Sequence, residues 1–361
     1  MPDWRRVGLS FAAATAGTVT GLVAERLLMR RRHDRGPYGP PLGDVTGDVT
    51  TLLGPDGARL HVETYGTSVT GDQDVPLREH PGALASREGP AAEVVLVHAF
   101  AQTGRAWHEQ VVGLRDRLRL VTYDQPGHGR SSTPSSGEYS LDLLADALAA
   151  VIEQSTDEAR GRLVLVGHSL GGMTALAFAR CHRALFARRV GALLLLSTTA
   201  RSDQSVALGV GLRMLVPLQA AVNHGLAQGG QRLAGVCRGP SDLSFALTRG
   251  LGLVRRTDPR YVELTERLVL ESEIATIAKL LPVILAMNED ETLARIDVPS
   301  VIVVGSEDWL TPVRDARRMA QLNPQVRLVE IPGVGHMTPL EAHDDVNRLI
   351  LELAREAGGR E

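Results

Sequence analysis

Lysine is almost absent from this chain of 361 residues: Lys279 is the only one among 39 basic side chains, and the rest are arginine. A bias of that kind reflects coding and carries no mechanism. Cysteine is nearly as scarce. Cys181 and Cys237 stand far apart, with no metal-ligand spacing and no partner nearby in sequence. Hydrophobic residues make up 43% of the chain, enough to fold without staples, so either redox compartment remains open. A surplus of charge is also missing. The formal net charge of -3 offers no global basic field, which disfavours nucleic acid as the principal partner. Charged residues at 22% complete the balance of a soluble globular chain rather than a disordered or wholly membrane-embedded one. There is no internal repeat and no low-complexity tract.

One apolar stretch stands apart, Val7 to Ala24, with Arg5 and Arg6 before it and Arg26, Arg30, Arg31 and Arg32 after it. Its length meets the lower bound of roughly 18 residues for a membrane span, although threonine, serine and glycine dilute it. Three readings stay open: a short anchor, an export signal beginning with the arginine pair, and a helix packed on a membrane surface or on the protein itself. The anchor is favoured because no small-x-small cleavage site stands out. With the heavier arginine load downstream, an anchor would leave the following domain cytoplasmic; the alternatives are a soluble cytoplasmic protein and an exported one. The run Gly36-Pro37-Tyr38-Gly39-Pro40-Pro41 cannot continue a helix and reads as a linker.

The next segments alternate. Two strand-like runs, Asp48 to Leu53 and Ala58 to Tyr65, flank Gly54-Pro55-Asp56-Gly57, the residues a tight turn needs, and predict an antiparallel hairpin. Residues Gly66 to Ala92 have no defensible period and read as a surface insertion. Strands are then expected over 94–97, 120–123, 163–167 and 192–197, with helices over 106–118, 141–153 and 170–187 between them. The strands are apolar throughout, without period-two alternation, which implies burial on both faces. Their alternation with helices implies a parallel sheet with right-handed crossovers. A mostly helical stretch from Ala200 to Ile296 interrupts the rhythm, which resumes with strands over 301–304 and 326–331 and helices over 313–322 and from Pro339 to about Arg355. The expectation is an α/β fold with a doubly wound, mostly parallel, eight-stranded sheet. Its organisation is an N-terminal segment and linker at 1–43, a core at 44–199 and 297–361, and a helical cap at 200–296.

The strand over 163–167 runs straight into Gly167-His168-Ser169-Leu170-Gly171 and then into an apolar helix. Gly-x-Ser-x-Gly in that context is a nucleophile elbow: the serine sits on a strained strand-to-helix turn, and the glycines allow close backbone packing. The helix N-terminus behind it aims backbone donors at developing negative charge. On these residues the sequence resembles the α/β-hydrolase superfamily over about 45–357.

The resemblance implies a triad in the chain order Ser, acid, His. Asp308, in Gly305-Ser306-Glu307-Asp308-Trp309, follows a buried strand, and His336, in Gly333-Val334-Gly335-His336-Met337, follows the next one. Glu307 is the rival acid; similar proteins place aspartate at the position of Asp308. The expected oxyanion donors are the backbone N–H of Leu170 and that of Phe100, in Val97-His98-Ala99-Phe100, where relatives have His-Gly and this chain has Ala99. Tyr123-Asp124-Gln125-Pro126-Gly127-His128-Gly129-Arg130-Ser131 resembles a turn of structural role in the family, with Asp124 and Arg130 stabilising the loop. His168 reads as a packing residue of the elbow.

A serine nucleophile, unlike the aspartate of related epoxide hydrolases and haloalkane dehalogenases, implies an acyl-enzyme and needs neither metal nor organic cofactor. The expected partner is a small ester or acyl substrate with an apolar part. Trp107, Met173 and Trp309, together with Phe100 and apolar runs such as Leu212 to Val222, are candidates to line its pocket, and core packing is the competing reading. Thioester, lactone, amide and carbon-carbon bond hydrolysis and perhydrolysis use the same machinery. A non-catalytic binding protein of the same fold is the alternative from a different class, disfavoured because no triad member is missing. Nothing in the sequence speaks to oligomeric state.

Overall fold

A computed structural model describes residues 42–66, 92–202, 253–254 and 257–358. The apolar stretch at 7–24, the linker, the insertion at 67–91 and the run at 212–222 lie outside the described residues. Among those described, no helix is long and apolar enough to cross a membrane.

The eight strands form one sheet in the order β1-β2-β4-β3-β5-β6-β7-β8. β1 (Asp48–Leu53) pairs antiparallel with β2 (Arg59–Tyr65), and β2 pairs antiparallel with β4 (Arg119–Tyr123). All later pairings, among β3 (Glu93–Val97), β4, β5 (Leu163–His168), β6 (Val190–Leu196), β7 (Ser300–Gly305) and β8 (Arg327–Ile331), are parallel. The predicted hairpin is closed by Asp56 and Gly57, at φ 49° and 69°, the left-handed region that short polar residues and glycine tolerate.

The apolar strands are buried on both faces, and the two faces feed different cores. Along β3, Val95 and Val97 enter one cluster with α2 (Leu141–Ser155) and α3 (Leu170–Cys181), while Val94 and Leu96 enter another with α1 (His108–Leu114) and α10 (His343–Gly358). β5 divides in the same way, Leu163 and Leu165 against Val164 and Val166. Each such side chain contributes about 1.5–3 kcal/mol over exposure. The edge strand β1 gains little of this, since Val49 and Leu53 are exposed.

Helix boundaries depart from expectation in three places. The helix expected over 106–118 is a 3-10 turn, Gly104–Trp107, followed by α1, which stops at Leu114. The amides of Arg117 and Leu118 both turn back onto the Leu114 carbonyl, at 2.9 Å each. The helix expected over 170–187 breaks at His182 (φ −117°, ψ 48°) into α3 and α4 (Arg183–Arg189). There the His182 ring stacks on Phe178 and its Nε2 lies 2.7 Å from Asp146. The last helix breaks at Ala342 (φ −129°, ψ 38°), separating α9 (Thr338–Glu341) from α10.

Between β6 and β7 the described residues form α5 (Pro259–Glu271), α6 (Ile274–Ala286) and α7 (Asp290–Ala294). Helix α8 (Val313–Leu322) connects β7 to β8. α5 does not join the sheet cores. Its Tyr261, Val262, Leu264 and Leu268 pack with Leu253, Ala106, Met337 and Leu340 in a third cluster, over the ends of strands rather than their faces.

Candidate active site

Ser169 follows the central strand β5 at φ 52°, ψ −114°, a left-handed conformation costly for a residue with a Cβ. Its surroundings hold it there. The Ser169 amide donates to the Leu196 carbonyl at 2.9 Å, and its carbonyl accepts from the Gly172 amide at 2.9 Å and from the Thr198 hydroxyl at 2.7 Å. The glycines of the motif are dictated by close approach. A Cβ on Gly171 would lie 2.0 Å from the Val97 carbonyl oxygen, and one on Gly167 would lie 2.5 Å from that of Gly171. Only bare backbone lets α3 start this close to β3 and β5. Leu170 opens α3, so its N–H is among those at a helix start that have no intrahelical acceptor.

Two strands along the sheet, Asp308 and His336 meet. His336 Nδ1 lies 3.0 Å from Asp308 Oδ2. The carboxylate is otherwise saturated: Oδ1 accepts from the amides of Leu310 and Thr311 at 3.0 and 2.9 Å, and Oδ2 from the Thr311 hydroxyl at 2.8 Å. Burial pushes the Asp308 carboxyl upward, but the charge and hydrogen bond of His336 and the Thr311 donors outweigh it, and the group stays below its ordinary value. A charged, fully accepting Asp308 requires the proton on His336 Nδ1 and leaves Nε2 as a base. Glu307, the rival acid, is exposed.

His168 does more than pack. Its Nε2 donates to the backbone carbonyl of His336 at 2.9 Å, and the two rings stand 5.2 Å apart. Burial first, and the neighbouring His336 second, lower its pKa to about 3, so it is a neutral donor at ordinary pH. The residue beside Ser169 thus grips the loop that carries His336.

Three strand ends therefore converge on the carboxyl edge of the sheet, where open α/β sheets bind ligands. Residues 93–342 match a family model for the alpha/beta hydrolase fold. The chain belongs to that family. An esterase of Mycobacterium tuberculosis is 34% identical over 129 residues, 35% of this chain and 40% of that protein. The lipase LipV of the same organism is 35% identical over 146 residues, 40% of this chain and 44% of that one. The chain thus spans less than half the length of these curated relatives. Among solved structures, a thermophilic esterase from Thermogutta terrifontis superposes with a TM-score of 0.65 at 23% identity, over 86% of this chain and all (100%) of that one, which is a likeness of fold.

In this alpha/beta hydrolase the loop after β3 carries Ala99 where the resemblance leads one to expect glycine. Ala99 is not among the residues with positive φ; that conformation falls instead on Ala101, at 53°. The methyl group of Ala99 therefore meets no backbone penalty. The loop is held from behind. His98 Nδ1 donates to the Ala99 carbonyl at 2.7 Å, and its Nε2 accepts from the Gln125 amide at 2.9 Å. Gln125 returns its side-chain amide to the His98 carbonyl at 2.8 Å and takes the Thr174 hydroxyl at 2.8 Å. Burial lowers the His98 pKa to about 4. Gln125 lies in the turn motif after β4, but nothing there points to His98, and Thr174 lies in no motif; only the fold brings α3, the β4 turn and the β3 loop together. Phe100 itself is half-buried at the turn, its ring 6.5 Å from that of His128.

Asp124 does stabilise its turn, but through backbone donors: its two oxygens accept from the amides of Gly104 and Arg130, each at 2.8 Å. The Arg130 guanidinium points elsewhere, to Glu63 at 3.4 Å.

The pocket candidates separate. Trp107 is fully buried under His168, ring centres 6.5 Å apart, in the core cluster that contains α10, and Met173 is buried in the cluster on the opposite sheet face. Trp309 is the exposed one, beside Asp308. A polar cavity of about 350 Å³, lined by His61, Glu63, Arg105 and Arg130 among others, includes none of the triad candidates.

Proposed function

We propose that the protein is a serine hydrolase that cleaves a carboxylic ester or a related acyl bond through an acyl-enzyme. The observation that carries this reading is the buried Asp308–His336 pair, tied by His168 to the strained turn of Ser169. With Nδ1 committed to Asp308, His336 Nε2 takes the proton of Ser169 as its oxygen attacks the carbonyl carbon. The backbone N–H groups of Leu170 and Phe100 receive the tetrahedral oxyanion. Collapse expels the alcohol, protonated by the same imidazolium. A water activated by His336 then attacks the acyl-enzyme and releases Ser169.

The esterase and lipase names of the two relatives support an ester as the scissile group, and the exposed Trp309 beside the acid supports an apolar substituent on it. A fluorophosphonate probe tests the nucleophile. We expect one adduct per folded chain, on Ser169, abolished in Ser169→Ala; full labelling of that variant would reject the assignment. A series of nitrophenyl esters of rising acyl length then reads the size of the apolar site.

A further inference from the structure

One carboxylate joins the loop of His336 to the segment between β6 and β7. Glu341 ends the short helix α9, five residues after His336. Its Oε1 accepts from the Met337 amide at 3.2 Å, and the nearby Gly335 amide also favours its charged form. These are the two residues that flank His336. Its Oε2 faces the other way and accepts from the Val254 amide at 3.0 Å and the Thr257 hydroxyl at 2.5 Å. The same two pieces of chain share the third apolar cluster, where Leu253 and α5 pack on Met337 and Leu340.

We propose that Glu341 is a positioning residue through which the helical segment over the strand ends sets the orientation of His336. The inference rests on the serine-hydrolase reading and deepens it by assigning a regulator of the same site. The amide that follows the histidine is fixed by Glu341 Oε1, while the His336 carbonyl is held by His168. With both grips in place the ring is confined to the tautomer and direction that Asp308 demands. Displacing Val254 and Thr257 removes the acceptor's second set of donors and lets the loop relax. Glu341 thereby orients the base while touching no reacting atom.

Glu341→Gln keeps size but converts one acceptor oxygen into a donor that faces amide donors. Thr257→Val removes one of the two donors from the helical segment and leaves the Val254 amide and every contact to the His336 loop in place. On a short nitrophenyl ester we expect Glu341→Gln to lower kcat tenfold or more, with KM changed less than twofold. Thr257→Val should lower kcat three- to tenfold while the melting temperature stays within a few degrees. A merely structural role would lower the melting temperature and leave kcat per folded molecule intact. Thr257→Val with wild-type kcat would overturn the proposal, whether or not Glu341→Gln folds. The downfield Nδ1 proton resonance of His336, assigned by its loss in His336→Ala, gives a readout independent of turnover. It should broaden in Thr257→Val, and an unchanged line rejects the positioning role. If the wild-type chain turned over no ester, the serine-hydrolase reading would fall alone, and this resonance would still decide the role of Glu341.

Discussion

At the scale of single residues, Asp308, the proposed acid, has two separable duties, charge and tautomer control. Asp308→Asn keeps the shape of the side chain but turns one acceptor into a donor, so Nδ1 of His336 becomes the acceptor and Nε2 carries the proton. We expect kcat on a nitrophenyl ester to fall by about 10⁴-fold, with the fold intact by circular dichroism. Thr311 sharpens the same control. Its hydroxyl donates to Asp308 Oδ2 and lies 3.3 Å from His336 Nδ1, so Thr311→Val should cost far less activity than Asp308→Asn, on the order of one hydrogen bond to a charged group, about 1.5–3 kcal/mol of combined stability and transition-state binding.

At the scale of elements, the chain of hydrogen bonds from Thr174 through Gln125 to His98 decides how α3, the turn after β4 and the loop after β3 sit together. Every member is buried. Thr174→Val removes the donor to Gln125 Oε1 without changing volume much and leaves that oxygen unpaired in a dry site. The expected loss is about 1–3 kcal/mol of stability by urea unfolding, accompanied by weaker oxyanion binding through Phe100. The altered residue Ala99 needs no compensation from this chain, because its backbone never enters the left-handed region. A helix break also belongs to this scale. The sequence over 170–187 is continuously helical in pattern, yet the structure breaks at His182, where Phe178 and Asp146 capture the ring. Such a capture depends on α2, which approaches only after folding.

At the scale of the whole molecule, three buried histidines stay neutral. Burial is the leading cause for each, lowering His98 to about 4 and His128 and His168 to about 3. The unfolded chain takes up these protons near pH 6.5, the ordinary value, whereas the folded chain refuses them until pH 3–4. Their stabilisation is therefore complete above about pH 6.5 and declines as pH falls through that window. Each histidine contributes at most about 1.4 kcal/mol per pH unit there. Melting temperature should be flat from pH 7 to 8 and drop steeply between pH 6 and 4, and His168→Gln should blunt the drop. The N-terminal stretch sets a further expectation at this scale. If residues 7–24 form an anchor, a chain truncated to begin at Asp44 should leave the membrane fraction that holds the full chain, and equal partitioning of the two would reject the anchor.

What the sequence determined by itself is what short-range pattern encodes. Apolar runs four to seven residues long, punctuated by turn residues and alternating with helical periods, specify a parallel sheet buried on both faces. A glycine-serine-glycine turn set between strand and helix specifies the elbow that carries the proposed nucleophile, because a Cβ on Gly171 or Gly167 would come within 2.0 to 2.5 Å of a backbone oxygen. The order of Asp308 and His336 after successive strands completes that reading locally. What only the tertiary structure decided are the partners that meet from distant parts of the chain. His168 on the His336 carbonyl, Gln125 between Thr174 and His98, and Glu341 between Val254 and Thr257 and the His336 loop are separated by tens to more than a hundred residues. Some sit within a motif, as His168 and Gln125 do, but no motif specifies the distant group each one bonds. A hydrogen bond of this kind is specified by burial and direction, which exist once the sheet has closed and the strand ends have come together.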